Sequence, residues 1–294
     1  MGLEITNAQR AEVLTQALPY IQKYYDKVVV VKYGGNAMIN EKLKEQVMED
    51  IVLLHLIGVK AVLIHGGGPE ITETLNRLGK ESVFHNGLRV TDKETADVVQ
   101  MVLAGKINKS LVNLLEMKGG RAVGLSGIDG RMLECEPKDK ALGFVGKIRK
   151  ADVTPITDLL EKGYIPVVST VGCDKKGNVY NVNADTAAAY IAGAMGAARL
   201  ILMTDIAGIL EDKNDPYSLI REIDVAGAAA LSEKGVISGG MIPKVECCKD
   251  AIGRGVKKVI ILDGRVPHAL LLETLTDEGA GTMFVADLKK NAEF

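Results

Sequence analysis

The chain has 294 residues, 47% of them hydrophobic and 25% charged, enough for one large domain or two lobes around a substantial core. Its 36 lysines and arginines face 38 acidic residues, and the net charge of -2 offers no broad basic face to nucleic acid; with no tryptophan and 4% aromatics, rings for base stacking are also scarce. Cys135, Cys173, Cys247 and Cys248 form no CxxC pair and have no histidine at ligand spacing, and no apolar stretch reaches the roughly 18 residues of a membrane span, so a soluble cytoplasmic chain without a metal centre, disulfides or membrane partner is expected.

The first predicted element is an amphipathic helix within residues 5–27, where Leu14, Ala17, Leu18, Ile21 and Tyr25 share one face and Pro19 bends the axis. Val28 to Val31 follow, four β-branched residues in a row, which read as a strand buried on both faces. Leu43, Val47, Ile51, Leu54 and Ile57 recur at helical spacing until Gly58 stops them, and a second strand covers 61–64. Helices are predicted at 70–78 and at 93–117, the latter broken near Gly105. A short strand at 122–125 leads into a polar, irregular stretch, 131–153, whose ECEPKDK lies between two extended pieces and reads as a β-excursion. Lys147, Arg149 and Lys150 within it read as a solvated face. Strands at 165–168, 200–203 and 259–262 then alternate with helices at 184–194, 225–234 and 245–253. That alternation implies a mostly parallel sheet sandwiched by helices, with no repeat or linker to mark a hard domain boundary.

Such sheets bind ligands beyond the carboxyl ends of their strands, and glycines cluster there. Lys32, Gly34 and Gly35 follow the first strand, Gly66, Gly67 and Gly68 the second, and Gly239-Gly240 precede a helix that begins MIPKV and carries Lys244. Backbone N–H groups at helix starts are anion sites, so converging glycine loops with two lysines suit a phosphate tail. Two familiar nucleotide signatures are absent: there is no G-x-x-x-x-G-K-[ST], and HGGGPE has Ile71 where the last glycine of G-x-G-x-x-G belongs. In NVNADTAA, Asn181, Asn183 and Asp185 crowd a helix start, where plain N-capping competes with a role for Asp185 in holding the two ammonium groups.

KYGGNAM (32–38), HGGGP (65–69), NGLRVTD (86–92), NVNADTAA (181–188), TDIAGIL (204–210) and SGGMIPK (238–244), in this order over nearly the whole chain after about residue 27, resemble the motifs of the amino acid kinase family. The resemblance implies an α/β three-layer αβα sandwich with an open, mostly parallel central sheet, the N-terminal helix added at 1–27, an acyl-substrate lobe at 28–196 and an ATP lobe at 197–294. KYGGNAM, NGLRVTD and GGMIPK together resemble the members that move the γ-phosphoryl of ATP to the side-chain carboxylate of N-acetyl-L-glutamate, the second step of arginine biosynthesis. By the same resemblance Lys32 and Lys244 stabilise the transferring phosphoryl, Asp185 orients them, and the amides of Gly34, Gly35, Gly66 and Gly67 bind the moving oxygens. Asn181 reads the acetamido and α-carboxyl end of the substrate. Arg89 grips a carboxylate bidentately, its alternative being an ion pair with Asp92. Asp205, Ile206, Ala207, Gly208, Ile209, Leu210, Ser238 and Gly239 resemble the ATP pocket, with Mg2+ carried on the phosphates.

Other readings stay open: a family member acting on aspartate, glutamate, carbamate or UMP, or a non-catalytic amino-acid sensor, with a dinucleotide oxidoreductase disfavoured by the missing fingerprint. The N-terminal extension and the stretches PHALLLE (267–273) and DEGAGTM (277–283) resemble arginine-inhibited members. They imply a homohexamer built as a trimer of dimers and an L-arginine site using Tyr20, His268, Glu278 and the backbone of Gly281.

Overall fold

Four consecutive valines require apolar cover on two sides, and Val28–Tyr33 has it. The protein is described from a computed structural model over residues 6–38, 40–215, 217–277 and 279–288. In chain order it forms α1 (Asn7–Gln16), α2 (Leu18–Tyr24), β1 (Val28–Tyr33), α3 (Glu41–Leu56), β2 (Lys60–His65) and α4 (Gly68–Arg77). A hairpin of β3 (Phe84–His85) and β4 (Leu88–Arg89) precedes α5 (Lys93–Gln100), a π-helical stretch (Met101–Ile107) and α6 (Asn108–Met117). Then come β5 (Ala122–Ser126), β6 (Leu133–Pro137), β7 (Gly146–Ala151), α7 (Thr154–Glu161), β8 (Ile165–Ser169), β9 (Val171–Cys173), β10 (Val179–Asn181) and α8 (Ala184–Ala194). The last part holds β11 (Arg199–Thr204), β12 (Glu222–Asp224), α9 (Val225–Glu233), α10 (Met241–Gly253), β13 (Lys258–Asp263), α11 (Ala269–Leu275) and β14 (Gly281–Val285).

Eight of these strands make one sheet in the order β12-β14-β13-β11-β1-β2-β8-β5, parallel except that β14 runs antiparallel to β13 and carries β12 with it. Val29 and Val31 enter a core with α3, α5, α6 and α11, whereas Val30 enters the opposite core with α8 and α10. The pleat alternates side chains between faces, so each valine of this strand meets an apolar layer. The chain builds outward from β1 through β2 in one direction and then returns to place β11 on its other side. That reversal opens a crevice at the carboxyl ends of β1 and β11. The excursion at 131–153 forms β6 and β7 of a second, four-stranded sheet with β9 and β10.

Two elements differ from the sequence reading. The helix over 93–117 is not broken at Gly105: it continues through the π-helical stretch, where wider winding absorbs the glycine. The N-terminal helix is two helices, divided at Ala17, because Pro19 in the first turn of α2 cannot continue the hydrogen bonding of α1. α1 has no buried residue and Leu14 is 74% exposed, while the side chain that α2 buries is Tyr24, not Tyr25, which is 65% exposed.

His65 closes β2 and is fully buried, its Nδ1 2.9 Å from the Gly66 carbonyl. Burial pushes its pKa from the ordinary 6.5 down to about 4, so the unfolded chain takes up a proton below about 6.5 that the folded chain refuses. The stability this contributes is complete above pH 6.5 and is lost as pH falls toward 4. Between pH 6.5 and 5 the parent should lose on the order of 2 kcal/mol more stability than His65→Leu in denaturant titrations, the buried Asp50 carboxyl, raised to about 6, titrating in the opposite sense in both proteins. An equal slope in both proteins would assign it elsewhere.

Candidate active site

Lys32 and Val30 share a parity, so Lys32 points to the α8 face at the mouth of β1. There its Nζ lies 3.0 Å from Asp185 Oδ1, and Lys32 is 9% exposed. Asn183 is the residue that caps α8, accepting from the Thr186 N–H at 3.0 Å, so Asp185 in the first turn is not spent on capping. Burial would push the Asp185 carboxyl up, but Lys32 and Lys244 outweigh it and hold the group below its ordinary value. Lys244 comes from the first turns of α10, which packs on α8, and the Cys247 thiol one turn later donates to the Asp185 carbonyl at 3.3 Å.

The glycines around this cluster are explained by what a side chain would strike. A Cβ on Gly34 would sit 2.7 Å from Lys32 Nζ, and one on Gly35, at φ 73°, would sit 2.6 Å from Asp205 Oδ1. The first loop therefore lies between the lysine of β1 and the carboxylate that follows β11, across the crevice. Gly240 caps α10 with no side-chain hydrogen bond, and Ser238 and Gly239 are exposed before it; the Met241 and Ile242 N–H groups donate back to the Ser238 and Gly239 carbonyls at 3.2 and 3.3 Å, so what this helix start offers an anion is its dipole and Lys244.

Beside the pair lies a cleft of about 180 Å³ lined by Gly66, Gly67, Gly68, Arg89, Asn181 and apolar residues including Leu103 and Val182. Arg89 is delivered by the β3–β4 hairpin, whose Asn86-Gly87 turn has both φ values positive, at 49° and 76°. Its Nη2 donates to the Gly68 carbonyl at 2.9 Å and to Thr72 Oγ1 at 2.8 Å, its Nη1 donates to Ser82, and the guanidinium lies 4.7 Å from the Phe84 ring centroid. The alternative ion pair is not formed, since Asp92 bonds Lys80 at 2.7 Å. Among the described residues no carboxylate pairs with Arg89, although it is 6% exposed and burial lowers its pKa. Asn181 Nδ2 donates to Thr91 Oγ1 at 3.3 Å.

Residues 205–210 leave the end of β11 as expected, but not all face outward: Ile209 is buried, and its N–H is taken by Thr282 Oγ1 at 2.9 Å. Ile209 and Gly208 thus anchor the loop to β14, leaving Asp205, Ile206 and Ala207 nearer the crevice. Far from this site, the Tyr20 hydroxyl meets Asp277, which raises its pKa, and His268 Nδ1 lies 2.6 Å from the buried Asp50. A Cβ on Gly281 would fall 2.0 Å from the Ile261 carbonyl, so strand packing alone demands that glycine. Glu278 lies outside the described residues. Sequence reading missed Asn108, which is buried and bonds His65, Leu125 and Val167. Its only sequence signal was a polar residue on the apolar face of a helix. Among the described residues no group of three or more His, Cys, Asp or Glu side chains could hold a metal, and no helix is long and apolar enough to cross a membrane.

The sequence matches the amino acid kinase family over residues 27–263. It is 54% identical over 285 residues to the acetylglutamate kinase of Brachyspira hyodysenteriae (strain ATCC 49526 / WA1), covering 96% of this chain and 99% of that protein. The acetylglutamate kinase of Thermosynechococcus vestitus (strain NIES-2133 / IAM M-273 / BP-1) is 52% identical over 282 residues, 96% of each. Among solved structures, N-acetylglutamate synthase from Neisseria gonorrhoeae, complexed with coenzyme A and N-acetyl-glutamate, has a TM-score of 0.83 at 25% identity; the match covers 94% of this chain and 63% of that one. Carbamate kinase from Giardia lamblia bound to AMP-PNP shares the fold at a TM-score of 0.64 and 19% identity, over 89% of this chain and 99% of that one. A match over most of its length makes this chain a member of the amino acid kinase family.

Proposed function

We propose that this protein transfers the γ-phosphoryl of ATP to the side-chain carboxylate of N-acetyl-L-glutamate, forming an acyl phosphate in the second step of arginine biosynthesis. The observation that carries the reading is the Lys32–Asp185 pair with Lys244 beside it, set between glycine loops at the crevice of the sheet. The names of the relatives, acetylglutamate kinases at 54% and 52% identity, support the choice of acceptor.

A side-chain carboxylate with an ordinary pKa of about 4.3 is ionised at neutral pH, so the nucleophile needs no general base. Its oxygen bonds to the γ-phosphorus as the bond from that phosphorus to the β-bridging oxygen breaks; ADP leaves with the electron pair and no proton moves. The chain's task is to hold two anions together and to stabilise charge in flight. Lys32 works from the acceptor side and Lys244 from the donor side, with Asp185 holding both in place. Arg89, a buried cation with no carboxylate partner among the described residues, takes the α-carboxylate of the substrate, and Asn181 reads the acetamido end. Residues 28–196 serve the acyl substrate and 197–294 the nucleotide, where Asp205, Ile206, Ala207, Ser238, Gly239 and the start of α10 flank ATP. Mg2+ rides on the phosphates. In regulation, α1 with its exposed Val13 and Leu14 packs on another copy to build a hexamer, and L-arginine binds near Tyr20 and His268.

Lys32→Ala and Lys244→Ala should each lower turnover by at least about 10²- to 10³-fold while keeping the fold, since the lost charge acts on the transition state. Near-normal turnover in either would remove its role. Arg89→Lys should raise the Michaelis constant for acetylglutamate and leave that for ATP unchanged, because a point charge cannot reproduce a planar fork. A shift in the ATP constant instead would put Arg89 on the nucleotide side. Deleting residues 1–26 should yield an active dimer with weakened arginine inhibition, read by light scattering and inhibition curves; a full-length dimer indifferent to millimolar arginine would refute the regulatory reading.

A further inference from the structure

The Gly66 carbonyl is held from inside the protein. His65 Nδ1 lies 2.9 Å from it, and the ring's other nitrogen, Nε2, lies 3.2 Å from Asn108 Nδ2. Lys109 Nζ donates to Asn108 Oδ1 at 3.1 Å, which fixes the amide so that Nδ2 faces Val167 O at 2.9 Å, Leu125 O at 3.2 Å and the imidazole. A carbonyl only accepts and an Nδ2 only donates, so His65 must accept at Nε2 and carry its proton on Nδ1. In a planar trans peptide the C=O and N–H point opposite ways. With the Gly66 carbonyl drawn toward the buried ring, the Gly67 N–H turns out toward the cleft that Gly66 and Gly67 line, and no acceptor among the described residues takes it.

We propose that His65 and Asn108 are positioning residues: a relay from the ends of β5 and β8 through Asn108 and His65 fixes the Gly66 carbonyl and so aims the Gly67 N–H at the transferring phosphoryl. The surroundings are shaped for this relay. A Cβ on Gly124 would fall 1.9 Å from Asn108 Oδ1, and one on Gly67 would fall 2.2 Å from Ile107 Cδ1 and 2.7 Å from Leu103 Cδ2. The π-helical stretch thus supplies the wall behind Gly67 and delivers Asn108 at its end. A ring kept neutral by burial preserves the tautomer across the physiological range. The proposal rests on Gly66-Gly67 being the oxyanion loop of the kinase site.

The test compares His65→Asn, which keeps a donor at the Nδ1 position, with His65→Gln, which carries its donor to the Nε2 end. At saturating ATP and acetylglutamate, His65→Gln should turn over about 10²-fold slower with both Michaelis constants within about threefold, and His65→Asn should recover to within about tenfold of the parent. Asn108→Ala, which keeps the ring but frees its tautomer, should cost about tenfold in turnover and serves if either histidine variant fails to fold. Parental turnover in His65→Gln or Asn108→Ala, or equal losses in the two histidine variants, would overturn the relay. Lys32→Ala run alongside separates the cases: if it too keeps turnover, the reading of the site fails, and if it alone is inactive, only the relay fails.

Discussion

A buried carboxylate paired with one ammonium group and held charged by the field of a second is the constraint around which the rest is arranged. Asp185 sits where burial alone would favour its neutral form, and Lys32 and Lys244 keep it charged. The dependence runs both ways: two lysines facing one crevice repel each other, and the carboxylate, in contact with Lys32, offsets that repulsion. One negative and two positive charges leave a net positive centre, which is what a reaction between two anions needs. Each structural feature nearby follows from keeping that cluster. The parity of β1 sends Lys32 to the α8 side, Asn183 takes over the cap so that Asp185 is available, and Gly34 leaves the space that the ammonium fills.

The second dependence is backbone exposure. Phosphoryl oxygens are best met by N–H groups that the fold has left without acceptors, and such groups survive only where a loop is clamped from behind. The HGGGP loop is clamped by a buried neutral histidine and by an asparagine that ties three strand ends together. Arg89 obeys the same logic with a side chain. Its guanidinium is oriented by a carbonyl and hydroxyls, none of which neutralises it, so the charge remains available to a ligand.

The layered fold was legible because its signals are local and periodic. Valines filling both faces of β1 announce a doubly covered strand, and the alternation of strand and helix announces a parallel sheet. Lys32, Asp185 and Arg89 were singled out through motifs that resemble the family; residue type and spacing alone left Asp185 a candidate helix cap and Arg89 a candidate partner of Asp92. What escaped reading depends on partners distant in sequence. Strand β14 exists because β13 offers an edge to it, and Ile209 turns inward because Thr282 accepts its loop. The turn of β3–β4 was written in Asn86-Gly87, yet its strands of two residues each are too short to show a period. Asn108 was hidden because a polar residue on a helix discloses nothing until the sheet ends it reaches are known.

The most direct test of the account is trapping of the acyl phosphate. The purified protein, incubated with ATP, Mg2+ and hydroxylamine, should form a hydroxamate from N-acetyl-L-glutamate in proportion to the ADP released, and should form little from glutamate, aspartate or carbamate. Hydroxamate from one of those acids in preference, or none from any, would contradict it.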